Sequence, residues 1–257
     1  MMKIGVIGVG MVGGALLRFF DRQIVDVVGY DKHKASYRDA SVLKDRDIVF
    51  VCVPTPTVDY EQDISAVHDA MALIESMKLK AEIVLKSTVL PGTCQRLFRN
   101  YGIDVIHNPE FLTERNADED FANQKQIVIG SDTIAASKVG DLYAQYFPLA
   151  DIHDVSTVTS ELYKYAHNCF LATKVTFWNE MYQAADRCKA NFGQVRDMFV
   201  ETGKAGSTHN QVPGPDGRLG YGGSCFPKDM QAFARWYGKG LIGAADEVNG
   251  LIRHSQG

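Results

Sequence analysis

The chain has 257 residues, is 46% hydrophobic and carries a formal net charge of -4. That length builds one large domain or two modest ones, and the acidic balance argues against nucleic acid or an anionic membrane as the main partner. The five cysteines are odd in number and form no C-x-x-C pair, which argues against a disulfide framework or a zinc site and fits a reducing cytoplasm.

Residues 4–17 follow Lys3 as a signal-peptide core would. However, Arg18 ends the run, no A-x-A-like cleavage site follows, and five glycines interrupt it. No stretch is long and apolar enough to span a bilayer. Residues 4–7 read instead as a strand, and 11–20 as a helix with Val12, Leu16, Phe19 and Phe20 close to one face. Strands follow at 24–30 and 47–53, a helix at 64–77, a strand at 82–86, and further strand candidates at 105–107 and 126–129. Strand and helix in alternation imply a parallel sheet covered on both faces. After about residue 150 the strand signal stops. Residues 156–189 form a long helical pattern without Pro or Gly, and 194–201 a shorter helix. Residues 203–223, rich in Gly and holding Pro213 and Pro215, read as a loop. A helix at 227–237 places Pro227 in its first turn, and another begins at 244 and runs to 253.

The first strand runs into Gly8-Val9-Gly10-Met11-Val12-Gly13 and then a helix. This is G-x-G-x-x-G in the setting that a dinucleotide pyrophosphate needs. Gly8 allows the tight turn, Gly10 lets the backbone approach the phosphates, and Gly13 lets helix and strand pack closely, with the helix N-terminus facing the negative charge. Asp31 ends the next strand, 18 positions after Gly13, where a ribose diol would lie. A carboxylate there accepts hydrogen bonds from the diol and repels a 2′-phosphate. NAD is therefore expected over NADP, with Lys32 and Lys34 pulling the other way. The plainer alternative is a structural glycine turn beside a surface aspartate. The expected fold class is α/β: a Rossmann-type NAD-binding domain over residues 1–155, then an all-α central domain over 156–257.

Four further segments stand out. They are Val53-Pro54-Thr55-Pro56-Thr57, Lys86-Ser87-Thr88-Val89-Leu90-Pro91-Gly92-Thr93, Asn108-Pro109-Glu110-Phe111-Leu112-Thr113-Glu114, and Gly222-Gly223-Ser224-Cys225-Phe226-Pro227-Lys228-Asp229. Between the last two lies a helix carrying Glu161, Lys164 and Asn168. In this order, from Lys3 to about Asn249, the chain resembles the UDP-glucose/GDP-mannose dehydrogenase family, and the G-G-S-C-F-P-K-D segment is highly specific to it.

The resemblance implies oxidation of a sugar C6 alcohol to a carboxylate in two hydride transfers. That chemistry needs a nucleophile to hold the aldehyde as a thiohemiacetal and then a thioester, the role implied for Cys225. Cys225 sits just before a helix start with Lys228 three residues on, and both features favour the thiolate. A cysteine without this context is more often a small buried hydrophobe. Lys164 and Asn168, four apart on one helix face, are implied to hold the C6 oxygen as negative charge develops. By itself Lys164 reads as a surface lysine paired with Glu161. Asp229 is implied to act with Lys164, its alternative being an acid complementing a helix dipole. Glu114 and Thr88 are implied to orient water for proton removal and thioester hydrolysis, although a loop glutamate is by default only solvated.

The same resemblance assigns Pro54, Thr55, Thr57, Thr88, Glu114 and Lys228 to the cofactor, beside Gly8, Val9, Gly10, Met11, Val12, Gly13 and Asp31. It assigns Glu110, Phe111, Leu112, Thr113, Glu114, Lys164, Asn168, Gly222 and Cys225 to the substrate. Thr113 and Lys204 depart from the pattern, standing where arginine is frequent. The implied substrate is UDP-glucose, oxidised to UDP-glucuronate with two NAD. GDP-mannose, an N-acetylated UDP-sugar, and a binding module without turnover stay open as alternatives. A β-hydroxyacid dehydrogenase shares the N-terminal layout but needs no cysteine nucleophile. The implied assembly is a cytoplasmic homodimer through the long central helix, serving polysaccharide biosynthesis. Full-length relatives continue into a third, Rossmann-like domain that this chain does not reach. A naturally short enzyme, a truncated chain and a degenerate copy all account for that. The intact set of Cys225, Lys164, Asn168 and Asp229 argues against decay.

Overall fold

A computed structural model of the chain describes residues 2–133, 138–238 and 240–254. In chain order the elements are β1 (Lys3–Ile7), α1 (Met11–Arg22), β2 (Asp26–Tyr30), β3 (Ile48–Val51), β4 (Thr57–Val58), β5 (Glu61–Gln62), α2 (Ser65–Met77), β6 (Glu82–Leu85) and α3 (Thr93–Tyr101). There follow β7 (Val105–His107), α4 (Ala117–Ala122), β8 (Gln126–Gly130), α5 (Lys138–Tyr146), β9 (Asp151–Val155), α6 (Thr157–Cys188), α7 (Phe192–Glu201), α8 (Phe226–Tyr237) and α9 (Leu241–His254). The chain divides into two compact units. One comprises the residues up to Pro56 together with Asp63–Lys164, the other Thr57–Gln62 together with the chain from Tyr165 onward.

The first unit is a seven-stranded sheet in the order β2-β1-β3-β6-β7-β8-β9. Every pair is parallel except β7 with β8, which meet antiparallel at His107 and Gly130. The strand β3 shows why the sheet is covered twice. Its sequence Ile-Val-Phe-Val is buried throughout, and successive side chains point to opposite faces. Ile48 and Phe50 join a core with Leu16, Phe20, Phe121 and Tyr143, while Val49 and Val51 join another with Val67, Met71, Ile74 and Leu97. The strand order reverses between β1 and β3. In open α/β sheets, ligands bind at such a switch point, outside the carboxyl ends of the strands.

Helices α3, α4 and α5 were not expected from the sequence, and three further features differ from it. Strand β9 lies where the apolar signal had ended; it is an edge strand, Asp-Ile-His-Asp-Val, with an exposed and half-buried pattern, so it carries charge in place of apolar alternation. Strand β2 begins at Asp26 and not at Ile24, because Ile24 has φ 57° and is 82% exposed. The hairpin β4–β5 was not expected at all. Its turn residues Asp59 and Tyr60 both have positive φ (49° and 64°), a geometry that asparagine and glycine usually signal.

The second unit holds that hairpin, the remainder of α6, and α7 to α9. The hairpin is fastened at three points: Thr57 Oγ1 donates to the Lys228 carbonyl (2.9 Å), Tyr60 Oη to Asp246 (3.2 Å), and Gln62 Nε2 to Tyr165 Oη (2.9 Å). Tyr165 also stacks on Phe233, their rings 5.5 Å apart.

Candidate active site

The glycine loop follows β1. Gly8 has φ 90°, and a Cβ on it would lie 2.6 Å from the Cys52 carbonyl oxygen. A Cβ on Gly13 would lie 2.0 Å from the Gly8 carbonyl oxygen. These two positions are therefore closed to side chains by the backbone itself. Gly10 is different: a Cβ there would meet nothing within 4 Å, and the residue is exposed as α1 begins. The open space lies at the N-terminus of a 12-residue helix, where the partial positive charge favours a phosphate.

Asp31 closes the other side of this loop. Its carboxylate accepts from the backbone N–H of Val9 and of His33, each at 2.9 Å. Burial works against its charge. The two N–H groups and nearby Lys34 outweigh burial and hold the carboxyl below its ordinary range. The two lysines beside it are both engaged, Lys32 with Asp69 (2.6 Å) and Lys34 with the Val9 carbonyl. The residues thus fit a dinucleotide: open backbone at Gly10, a helix end, and an ionised carboxylate.

The next strand ends carry the threonines. Thr55 is buried and its hydroxyl donates to the Thr88 carbonyl at 2.8 Å, while Ser87 Oγ donates to the Val53 carbonyl at 2.7 Å. Pro54 is exposed and Thr88 buried. From β7 the chain runs into Asn108 and Glu110. The Lys164 ammonium donates to the Glu110 carbonyl and lies 3.3 Å from its Oε1, with the two side chains 4% and 10% exposed. The Phe111 ring lies 5.1 Å from the same ammonium, a cation–π contact. Glu110 also accepts from the Leu112 N–H at 2.6 Å. Burial pushes its carboxyl up, but Lys164, that N–H and Lys86 prevail and hold it below the usual range.

Lys164 is therefore neither on the surface nor paired with Glu161. Glu161 is buried and accepts from the N–H groups of Gly92 (2.5 Å) and Cys94 (2.7 Å), capping the start of α3. On the same loop as Glu110, Thr113 is bound to Asp120 through N–H and hydroxyl (2.7 and 2.5 Å), and Glu114 is exposed. The carboxylate seen on Lys164 is that of Glu110.

In the second unit Cys225 is half-buried at the N-cap position of α8, its Sγ 3.7 Å from Ser224 Oγ. Asp229, in the first turn of that helix, is 1% exposed. It accepts from Asn168 Nδ2 at 2.6 Å and from its neighbour Lys228 at 2.5 Å. The loop before Cys225 is held by residues that sequence reasoning missed. Asn249 pairs with both backbone atoms of Tyr221 (2.7 and 3.2 Å), Asn179 accepts from the Gly220 N–H (2.9 Å), and the Tyr221 hydroxyl donates to Asp246 (2.5 Å). Gly222 lies against Arg253, whose guanidinium would be 2.7 Å from a Cβ. Polar residues scattered along helices gave no signal for these contacts. Among the described residues no group of His, Cys, Asp and Glu is arranged to hold a metal ion, and no helix is long and apolar enough to cross a membrane.

A mostly parallel sheet with a glycine loop and an acidic residue at its switch point defines a dinucleotide-binding protein. Two sequence models match most of the chain: the UDP-glucose/GDP-mannose dehydrogenase family NAD-binding domain at residues 34–147, and the same family's central domain at 158–250. The chain belongs to the UDP-glucose/GDP-mannose dehydrogenase family and its cofactor is NAD. It is 40% identical over 202 residues to a UDP-glucose 6-dehydrogenase of Rickettsia conorii, a match covering 74% of this chain and 44% of that protein. It is 37% identical to one of Rhizobium meliloti, with 74% and 45% covered. The chain thus spans less than half the length of these relatives. A UDP-glucose dehydrogenase from Pyrobaculum islandicum superposes with a TM-score of 0.86 at 28% identity, covering 99% of this chain and 68% of that one. A 3-hydroxyisobutyrate dehydrogenase from Mycobacterium tuberculosis shares the fold, with a TM-score of 0.72 at 18% identity, covering 98% of this chain and 94% of that one.

Proposed function

We propose that the chain is a nucleotide-sugar 6-dehydrogenase acting on UDP-glucose, and that Cys225 carries the second oxidation as a covalent nucleophile. The observation that carries this reading is the Cys225 loop: a half-buried thiol at a helix N-cap, four residues before a buried carboxylate that accepts from Asn168. Two NAD molecules, bound one after the other, would each accept one hydride. The chain's own residues do the rest. Lys164 and Asn168 support the C6 oxygen as it gains charge. The Cys225 thiolate adds to the aldehyde carbon, forming a C–S bond. After the second oxidation that bond belongs to a thioester. Water, deprotonated with the help of a carboxylate, then cleaves the C–S bond, releasing the sugar acid and the thiolate. We assign that carboxylate to Glu110, because Glu110 is the one bonded to Lys164; Thr88 remains a water-orienting candidate.

Within the same proposal, residues 1–155 bind the cofactor and 156–257 form the central domain, which associates as a cytoplasmic homodimer through α6. Supporting the dimer is an apolar surface on α6 and α7, where Phe170 and Met198 are 66% and 62% exposed, beside Phe177 and Phe199. The experiment is an NADH absorbance assay with UDP-glucose, GDP-mannose and N-acetylated UDP-sugars. NADH formed at two per UDP-glucose supports the proposal. A 3-hydroxy acid oxidised in place of every sugar would replace it with the β-hydroxyacid reading.

A further inference from the structure

Lys86 has no part in the chemistry above, yet it is one of the most thoroughly enclosed charges in the first unit. Its residue is 3% exposed at the end of β6. Its ammonium donates to Asn108 Oδ1 at 2.8 Å and to the Asn108 carbonyl at 3.1 Å. Asn108 is held on its other atoms as well. Its Oδ1 also accepts from the Tyr143 hydroxyl (2.5 Å), its Nδ2 donates to the Val128 carbonyl (2.8 Å), and its N–H donates to the Leu85 carbonyl (2.9 Å). Two residues on, past Pro109 with its fixed φ, stands Glu110.

An enclosed ammonium needs a counter-charge. The titratable groups that face Lys86 are few. The Cys52 thiol, pushed up to about 12 by burial, is neutral, and so is Tyr143, raised in the same way. Burial holds His107 down to about 3, so it is also neutral near pH 7. Lys164 is a second cation and opposes Lys86, leaving Glu110 as the attracting charge. Burial pushes Lys86 itself down to about 8.

We propose that Lys86 is a positioning residue for Glu110: it anchors both oxygens of Asn108, which fixes where the Glu110 carboxylate meets Lys164, and it is the second positive charge facing that carboxylate. The catalytic consequence rests on the dehydrogenase reading; the geometry does not. The test is carbon NMR of the protein labelled at glutamate Cδ, with the Glu110 signal assigned by its loss in Glu110→Gln. In wild type, the Glu110 signal should show a second inflection near pH 8 as Lys86 loses its proton. In Lys86→Met that inflection should vanish and the carboxyl should titrate at higher pH than in wild type. Lys86→Arg, which stays charged, should also lose the inflection near 8 but keep the carboxyl midpoint close to wild type. In the dehydrogenase assay, Lys86→Met should lower kcat roughly tenfold or more, about 1.4 kcal/mol per factor of ten, with the KM for NAD unchanged and Lys86→Arg recovering most of the loss. A Glu110 signal that titrates identically in wild type and Lys86→Met would overturn the proposal. If Lys86→Met fails to fold, wild type against Lys86→Arg decides it, since persistence of the inflection near 8 in the arginine variant has the same force. A wild-type protein inactive on every sugar would remove the dehydrogenase reading, and the Glu110 titration would still report on Lys86.

Discussion

In Gly13→Ala the added methyl would stand 2.0 Å from the Gly8 carbonyl oxygen and 3.0 Å from a Val6 methyl. Ordinary contact begins at 3.4 Å, so α1 must retreat from β1 by about 1.4 Å, or the Gly8 turn must open. The first obstacle is backbone and cannot swing aside as a side chain can. Overpacking of this kind costs roughly 1–3 kcal/mol, and an unyielding neighbour puts this case at the upper end. For a chain of this size each kcal/mol moves Tm by about 2–4 °C, so a loss of about 6–12 °C is expected. The matched variant is Gly10→Ala, whose methyl meets nothing within 4 Å. Its Tm should stay within about 2 °C of wild type, while its affinity for NAD falls roughly tenfold or more, because the methyl occupies the space the pyrophosphate needs. Circular-dichroism melting and NAD titration calorimetry on both variants make the comparison. A wild-type melting curve for Gly13→Ala, or wild-type NAD affinity for Gly10→Ala, would refute the division of labour between the two glycines.

Wild type should favour NAD over NADP in kcat/KM, since the Asp31 carboxylate is ionised and Lys32 and Lys34 are engaged elsewhere; equal use of NADP would point to those lysines as phosphate ligands. Cys225→Ser should bind NAD normally but stall after the first oxidation, with little uronic acid by steady-state assay and a sugar ester sought by mass spectrometry; near-wild-type conversion would remove the thiol mechanism. Acid should destabilise the fold in two stages. His107 is held neutral to about pH 3 when folded but takes a proton near 6.5 when unfolded. The unfolded state therefore binds more protons, and stability should fall as pH drops below about 6.5, by at most about 1.4 kcal/mol per unit. Glu110 and Asp31, whose carboxyls are depressed, add stability that is present above about pH 4.5 and is lost as pH falls through their folded values. Urea midpoints measured from pH 7 to 4 should show a shallower slope in His107→Gln; equal slopes would assign the first stage elsewhere.

The sheet was readable because most of its strands are apolar runs, with the periodic helices α1 and α2 among the first of them, and the glycine loop because each glycine answers a separate steric demand. Strand β9 escaped because an edge strand needs only one partner and tolerates charge on both faces. The hairpin escaped because two-residue strands have no period to detect. At the site, the spacing of Lys164 and Asn168 on one helix was legible, but the partner of Lys164 was not. The loop offers two glutamates four apart, and only the fold tells the enclosed Glu110 from the exposed Glu114. Pairings such as Tyr60 with Asp246, 186 residues apart, leave no local trace in the sequence.

Residues 57–62 belong to the helical unit although the chain reaches them before half of the sheet has been laid down. The two units are therefore interleaved along the sequence and are not consecutive. A genetic crossover near residue 164, which would exchange one helical unit for another, would leave behind the hydroxyl of Tyr60, the amide of Gln62 and the Thr57 bond to the Lys228 carbonyl. The incoming unit would have to accept a foreign hairpin at each of those three points. Such units should be inherited together, and chimaeras made by a single junction should recover only when residues 57–62 travel with the C-terminal part.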